Sequence, residues 1–512
     1  MATGVITRRN QYYDSVFLMG VSKRISGFPG VQQNAVLMGT DANKEVLSSL
    51  GIRDPQLDAA QPSDLIVAVI ADTQAIVADV LANLDDYLAG GVAPSATANP
   101  HTFEDGLEQK PNANLAVVSV PGEFAAREAR KALDAGLNVF LFSDHVSIED
   151  ELAIKQLAAQ KKLLVMGPGC GTSIINGVGI GFANVVRKGN IGVVAAAGTG
   201  LQEFTSQIHN AGLGISNAIG TGGDDPSDYI GGLTTFAALA ALERDPQTEL
   251  IAIVSKPPGA KTLAKLIERI RNCKKPVIGC FLGAHVDPQA QFENFRRAST
   301  IDEAVNLALK LSGSKPALTA KGPTSADLQR VTQERSSWAP EQKYLRGLFA
   351  GGTFCYQSQQ ILLASGIPVY SNAPLDKNYQ LSDPNRSREH TLVDMGADEY
   401  TVGRPHPMIY GAMRKQRILA ESDDPQVAIL LLDFILGYNA STDPVGELLD
   451  ALLQSKRNAS LRGGNLTVVA SVCGTDGDPQ GFAVQMKLLR QAGVHVFQTN
   501  AQAASFCAAL LK

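Results

Sequence analysis

Apolar residues in this chain fall into short unbroken runs separated by stretches with helical spacing. Near the amino terminus the runs are Ser15 to Met19, Gly30 to Met38 and Leu65 to Ile70, and Thr73 to Leu88 has a helical period. This pattern predicts a small α+β unit over residues 1–100, of the ferredoxin-like type. Gly90 to Asn112 is Gly, Pro, Ser, Thr and Asn without period, which predicts a linker.

Strand and helix then alternate. Leu115 to Val120 reads as a strand, Glu123 to Ala135 as a helix closed by Gly136, and Asn138 to Phe142 and Leu163 to Met166 as strands. Ser147 and Asp150 are spaced as an N-terminal capping box. The alternation continues through Ile191 to Ala195, Ile215 to Ile219, Leu250 to Val254 and Pro276 to Leu282. Runs that are apolar throughout, rather than at every second residue, belong to parallel sheets covered on both faces. Ser312 to Pro340 is weakly patterned and predicts a second linker. From Tyr344 the alternation resumes with Leu345 to Phe349, Val369 to Ser371, Val427 to Asp433 and Thr467 to Val472. The expected class is α/β.

Composition narrows the partners. The 48 glycines and 19% charged residues fit a Gly-rich globular α/β protein and exclude disordered and fibrous classes. With 45 basic against 50 acidic residues, no global field favours nucleic acid or an anionic membrane. The six cysteines are scattered without a C-x-x-C pair or a close His/Cys cluster, so neither a disulfide framework nor a structural metal is expected. No apolar run has signal-peptide or membrane-spanning length, and a cytoplasmic location is the expectation.

Ligands of doubly wound sheets bind beyond the carboxyl ends of the strands, where four Gly-rich turns fall. They are Ala197-Gly198-Thr199-Gly200, Gly220-Thr221-Gly222-Gly223, Gly351-Gly352-Thr353 and Gly474-Thr475-Asp476-Gly477. The first and third open into helical segments, whose starts expose free N–H groups to an anion. Each is a candidate anion cradle, although glycines also serve any tight strand-to-helix turn. None is a Walker loop or a full Gly-x-Gly-x-x-Gly fingerprint, so ATP and NAD have no local signature.

Residues 117 to 310 resemble the α subunit of succinyl-CoA synthetase. The resemblance rests on Val120-Pro121, Met166-Gly167-Pro168-Gly169-Cys170-Gly171, Asn190-Ile191-Gly192-Val193-Val194, Gly198-Thr199, Glu203 and Gly220 to Asp224. Residues 344 to 510 resemble the carboxyl-terminal domain of the β subunit through Gly351-Gly352, Asp394-Met395-Gly396, Asp433-Phe434-Ile435-Leu436-Gly437 and Gly474-Thr475-Asp476. The resemblance implies a Rossmann-like CoA-binding-type domain at 113–188, an α-type ligase domain at 189–312 and a flavodoxin-like β-type ligase domain at 341–512. The fusion, with Tyr13-Asp14-Ser15-Val16 before it and Arg404-Pro405-His406-Pro407-Met408-Ile409 within it, resembles the FdrA family of acyl-CoA-synthetase-like proteins. That family is linked to oxamate carbamoyltransferase, which works with two unlike partner subunits in allantoin breakdown.

The departures from the synthetase pattern shape the functional expectation. The phosphohistidine of the synthetases looks deleted, because Gly283-Ala284-His285 comes too early after its strand. His285 is either a displaced relay or a loop histidine. The Gly-rich first turn that cradles CoA is missing, so CoA is doubtful and no other cofactor is expected; the nucleotide-binding domain that feeds a synthetase would have to come from another chain. Glu203 matches a synthetase glutamate that contacts the phosphohistidine, but a first-turn glutamate also steadies a helix start. Arg404 and His406, beside two prolines, would aim a guanidinium and an imidazole at a carboxylate, or form a solvated loop. Lys256 is an anion contact or a strand end. His390 and Asp394 read as structural, and Cys170 and Cys355 as buried residues or thiols of lowered pKa.

The leading expectation is therefore a carbamoyltransferase subunit, with other subunits as partners. Carbamoyl phosphate would lie between the helix starts at Gly198 and Gly351, Gly222-Gly223 and Gly474-Thr475 would line the site, and an oxamate-like acceptor would sit beside them. The alternatives are a component of an NDP-forming acyl-CoA synthetase, or a noncatalytic anion-binding scaffold.

Overall fold

The structure is a computed structural model that describes residues 2–512 apart from 12, 14, 41–42, 45–46, 49–51, 90–99, 101, 285–291, 316–323 and 403. It divides into two compact units, one of residues 1–111 with 402–405, the other of residues 112–401 with 406–512.

The first unit carries the antiparallel strands β1 (Ala2–Arg8), β2 (Val31–Met38) and β3 (Leu65–Ala71), in the order β1-β3-β2. β3 is buried on both faces, which is why its run is apolar without alternation. Leu65, Val67 and Val69 pack with Leu18, Val21 and Ile25, whereas Ile66 and Ala68 pack with Leu47, Ile52 and Leu57. The run from Ser15 is not a strand but opens the helix Ser15–Ser26, since a five-residue apolar run cannot by itself distinguish the two periods. Among the described residues the unit has three of the four strands of a complete ferredoxin-like fold.

The second unit holds three sheets. β4 (Leu115–Val118), β5 (Asn138–Leu141) and β6 (Val165–Met166) form a small parallel sheet in sequence order. Ser147 caps the helix Ile148–Lys161 by accepting the Asp150 N–H, as its spacing predicts. The next sheet contains β7 (Thr172–Ile175), β8 (Val178–Gly181), β9 (Lys188–Ala196), β10 (Ile215–Gly220), β11 (Leu250–Ser255), β12 (Val277–Phe281) and β13 (Phe295–Ala298) in the order β13-β12-β11-β9-β10-β7-β8. Its five long-range strands β9–β13 are parallel and have flavodoxin-like order. The hairpin β7–β8 pairs antiparallel with β10, so residues 172–181 belong to this sheet rather than to the Rossmann-like one.

The third sheet is wholly parallel: β14 (Tyr344–Phe349), β15 (Tyr370–Ser371), β16 (Thr391–Asp394), β17 (Val427–Ile435), β18 (Thr467–Cys473) and β19 (His495–Phe497), ordered β15-β16-β14-β17-β18-β19. Without the two-residue β15 the order again is flavodoxin-like. In both sheets the chain reverses direction beside the first strand, so β9 and β14 each end at a switch point and feed straight into a helix, Gly198–Asn210 and Gly352–Ala364.

Both expected linkers contain helices. Phe103–Gln109 and Ser325–Ser336 each begin with a complete capping box, Thr102 with Asp105 and Thr324 with Asp327. The second is pinned by Glu334, which accepts from Thr467 Oγ1 at 2.7 Å and meets His495 Nε2 at 2.9 Å. Its polar surface hid it, because only Val331 is buried.

Candidate functional site

The two switch-point helices start against one another. A methyl group on Gly200 would lie 3.0 Å from Thr353 Cγ2, and one on Gly351 would lie 2.8 Å from Thr199 Cγ2. Neither helix has a side-chain cap at its start, so the leading N–H groups and the positive dipole ends of both converge on one region. Gly198, Thr199, Gly200, Gly351, Gly352 and Thr353 are thus brought together, as the sequence expects.

Their glycines serve close packing. Gly352 backs directly onto the carboxylate of Asp394, whose Oδ2 would lie within van der Waals overlap of any added methyl group. Asp394 ends β16 and accepts the Gly396 N–H at 3.0 Å. Burial pushes its carboxyl up to about 6, opposed by the positive charge of Lys256, which follows β11 in the other half. Asp433, on β17, accepts the N–H groups of Ala350 and Gly351 at 2.9 and 2.8 Å and pairs with the buried Arg414 guanidinium at 2.9 Å. Arg414 also donates to Leu348 O and Asp433 O, so this pair rigidly shapes the turn that delivers Gly352.

His406 lies near the same Asp394 carboxylate. A methyl group on Gly396 would meet His406 Nε2 at 2.8 Å and Asp394 Oδ1 at 3.3 Å. Its ring lies 5.9 Å from that of Phe182, Nδ1 accepts the Met408 N–H, and desolvation, with Arg414 adding repulsion, lowers its pKa to about 4. It is a neutral imidazole at pH 7. Arg404, expected beside it, is exposed and is grouped with the first unit.

Glu203 lies at the interface of the two halves. It is 1% exposed, accepts the Asn500 N–H at 3.2 Å, and burial followed by repulsion from Asp302 raises its pKa to about 8. It caps the helix Asn500–Leu510 of the opposite half. Gln357, at the equivalent turn of the Gly352 helix, caps the helix Ile301–Leu311 by accepting the Ile301 N–H at 3.0 Å. The reciprocal arrangement gives Glu203 an interface role that its sequence position did not reveal.

The Gly220–Gly223 turn lies beside the strand end that feeds the Gly198 helix, where Thr221 donates its N–H to Ala195 O at 2.9 Å, and the Gly474 turn lies elsewhere. Gly222, with φ +88°, lies against Pro168 O and the Gly167 backbone, and the loop is held from below by buried Lys155, which binds Thr221 O and the Asp225 carboxylate. Gly223 has open space around it. Gly474 and Thr475 meet the far end of the Gly198 helix: Asn210 donates to Gly474 O and His209 Nε2 meets Asp476 at 2.7 Å. Eleven residues of helix put that turn about 17 Å from Gly198. It joins the two halves and does not cradle the same ligand.

His285 lies outside the described residues, as does Asp14. His390 sits at the opposite end of β14, accepting the Leu345 N–H, with its pKa lowered by burial. All six cysteines are free and buried; burial pushes the Cys170 thiol up to about 11 and raises that of Cys355. The reading of lowered thiol pKa values is therefore corrected. The sequence missed Asp394 and Asp433 as site residues. Their positions at strand carboxyl ends flanking a switch point were the available signal.

Comparison with known proteins agrees with this architecture. The family described as "AllF, heavy metal-associated domain" matches residues 1–102, and "CoA-ligase" matches residues 348–510. Succinate–CoA ligase [ADP-forming] subunit alpha 1 of Archaeoglobus fulgidus is 29% identical over 212 residues, covering 39% of this chain and 71% of that subunit. The solved apo form of dinucleotide-forming acetyl-coenzyme A synthetase 1 from Ca. Korarchaeum cryptofilum is 18% identical, with TM-score 0.29, covering 78% of this chain and 82% of that one. The CoA-ligase family match and the succinate–CoA ligase relative overturn the transferase expectation. Protein YahF of Escherichia coli strain K12 is 43% identical over 500 residues, 96% of each chain. The chain accordingly belongs to the YahF family, an acyl-CoA-synthetase-like fusion behind a small amino-terminal domain.

Proposed function

We propose that this chain is the acyl-transfer component of an NDP-forming acyl-CoA synthetase, with a carboxylic acid, CoA and phosphate as its small molecules. The observation that carries the reading is the meeting of two uncapped helix starts, one from each ligase-like half, with Lys256 and Asp394 beside them. In the forward direction the CoA thiol sulfur attacks the carbonyl carbon of an acyl phosphate. The C–O bond to phosphate breaks, a C–S bond forms, and the thiol proton leaves on phosphate.

The chain's own groups suit the phosphate. Convergent N–H donors and two helix dipoles stabilise charge as the C–O bond breaks. The three carboxyls around them do not repel an anion at neutral pH as strongly as three free carboxylates would. Glu203 is held protonated, Asp394 lies within the field of the Lys256 charge, and Asp433 is matched by Arg414. In this reading the acyl phosphate reaches the site ready-made, from a separate nucleotide-binding domain.

Calorimetric titration with inorganic phosphate tests the site, and thioester formation from acyl phosphate and CoA tests the reaction. Lys256→Met should weaken phosphate binding at least about tenfold, the scale of one charge-assisted contact. Unchanged affinity in that variant, or no thioester even with a nucleotide-binding partner present, would reject the proposal.

A further inference from the structure

The amino-terminal unit belongs by match to a family named for heavy-metal association, and its donor chemistry does not fit that name. Thiophilic cations such as Cu(I), Zn(II) and Cd(II) are held by thiolate, imidazole or thioether groups. Residues 1–102 contain no cysteine, one histidine, His101, and three methionines, Met1, Met19 and Met38. Met38 is only 9% exposed and packs in the core with Leu18 and Val21, while Met19 lies on the helix Ser15–Ser26. No thiolate is available, and of the two described thioethers that of Met38 is buried in the core.

Several of the unit's carboxylates are already used. Asp64 accepts the N–H groups of Asn10 and Gln61, each at 2.8 Å, which holds its carboxyl below the ordinary range. Asp54 caps the helix Pro55–Ala59, Asp72 accepts from Gln32 Nε2, and Asp85 pairs with Arg8. No group of three or more metal-capable side chains occurs among the described residues. Nor does the fold depend on an ion, because an apolar core runs on both faces of β3. Small domains that need a metal lack such a core.

We infer that this unit, although that family matches it, has no soft-metal site of its own. The inference is independent of the acyl-transfer reading. It is tested on the full reduced chain, dialysed separately against Zn(II), Cd(II) and Cu(I), with metal content measured and amide exchange mapped by mass spectrometry. The location of any bound metal matters, since six buried cysteines lie in the other unit. Exchange in peptides spanning residues 2–88 should change by less than about twofold with each metal. No retained metal, or retained metal whose protection maps only beyond residue 112, supports the inference. A stoichiometric metal that protects peptides within 2–88 overturns it, and loss of that protection in Met19→Leu would identify the ligand.

Discussion

Glu203 shows how one buried carboxyl sets the pH response of the chain. Its carboxyl titrates from 4.5 when unperturbed and is pushed up to about 8 in the fold, so the folded chain keeps a proton that the unfolded chain releases. The stability this contributes is complete below about pH 4.5 and is lost as pH rises through about 8. Asp302 and Asp394, both raised to about 6, act with the same sign over a lower window. His406, lowered from 6.5 to about 4, acts oppositely: its contribution is present above pH 6.5 and lost as pH falls through about 4. Glu203→Gln keeps the acceptor for Asn500 N–H and removes the ionisation. It should raise stability at pH 8 by on the order of 2–4 kcal/mol and flatten the alkaline decline in melting temperature. A wild-type profile that does not decline between pH 6 and 8 would show that Glu203 ionises normally. Glycines at the site separate by a similar measurement. Gly352→Ala must displace the Asp394 carboxylate and should cost about 1–3 kcal/mol in urea unfolding, whereas Gly223→Ala, with nothing within 4 Å, should be within about 0.5 kcal/mol of wild type.

Among elements, helix starts carry the specific contacts. The helix Leu233–Arg244 follows Gly232 in the left-handed region and receives no cap from it; Asp225 instead accepts the Thr234 and Thr235 N–H groups, each at 3.0 Å. The same carboxylate meets Lys155 Nζ at 2.8 Å, with both side chains fully buried, and Glu151 completes the cluster at 2.7 Å. Asp225 therefore binds the helix Ile148–Lys161 of one sheet to the helix start of the next. Asp225→Ala leaves a buried ammonium with one carboxylate and two uncapped N–H groups. It should cost about 3–5 kcal/mol, read as a lower urea midpoint. A loss under about 1 kcal/mol would mean that the loop 221–225 rearranges to recapture Lys155.

At the level of the whole second unit, two sheets of like topology face each other through their first and last helices. Glu203 and Gln357 cap reciprocally, Thr499 donates to Asp302 at 2.7 Å, and Asp478 accepts from Asn184 and Val185 across the same boundary. These ties do not pass through the segment 316–323 that connects the halves in sequence. A protease site inserted there should, after cleavage, yield two fragments that co-elute on size exclusion and keep the phosphate affinity of the intact chain. Separation of the fragments at micromolar concentration would contradict the idea that the halves close on each other unaided.

Class, strand positions and the pairing of Gly-rich turns with helices were legible in the sequence, because each depends on local period and turn chemistry. Unbroken apolar runs marked parallel strands such as β9 and β17, and Ser147 with Asp150 marked a helix start. The polar helix Ser325–Ser336 and the helix beginning at Ser15 were not legible, one for want of an apolar face and the other because its run is short. Likeness of composition did not place the turns: Gly474, alike in composition to Gly198, lies at the far end of the same helix. Only the tertiary structure gathered Asp394, Lys256 and the two helix starts, which are spread over nearly 200 residues, since sheet order rather than chain order decides which strand ends are neighbours. Burial made the remaining difference. A carboxyl or imidazole carries the same letter wherever it stands, and the surrounding apolar volume sets whether it is charged.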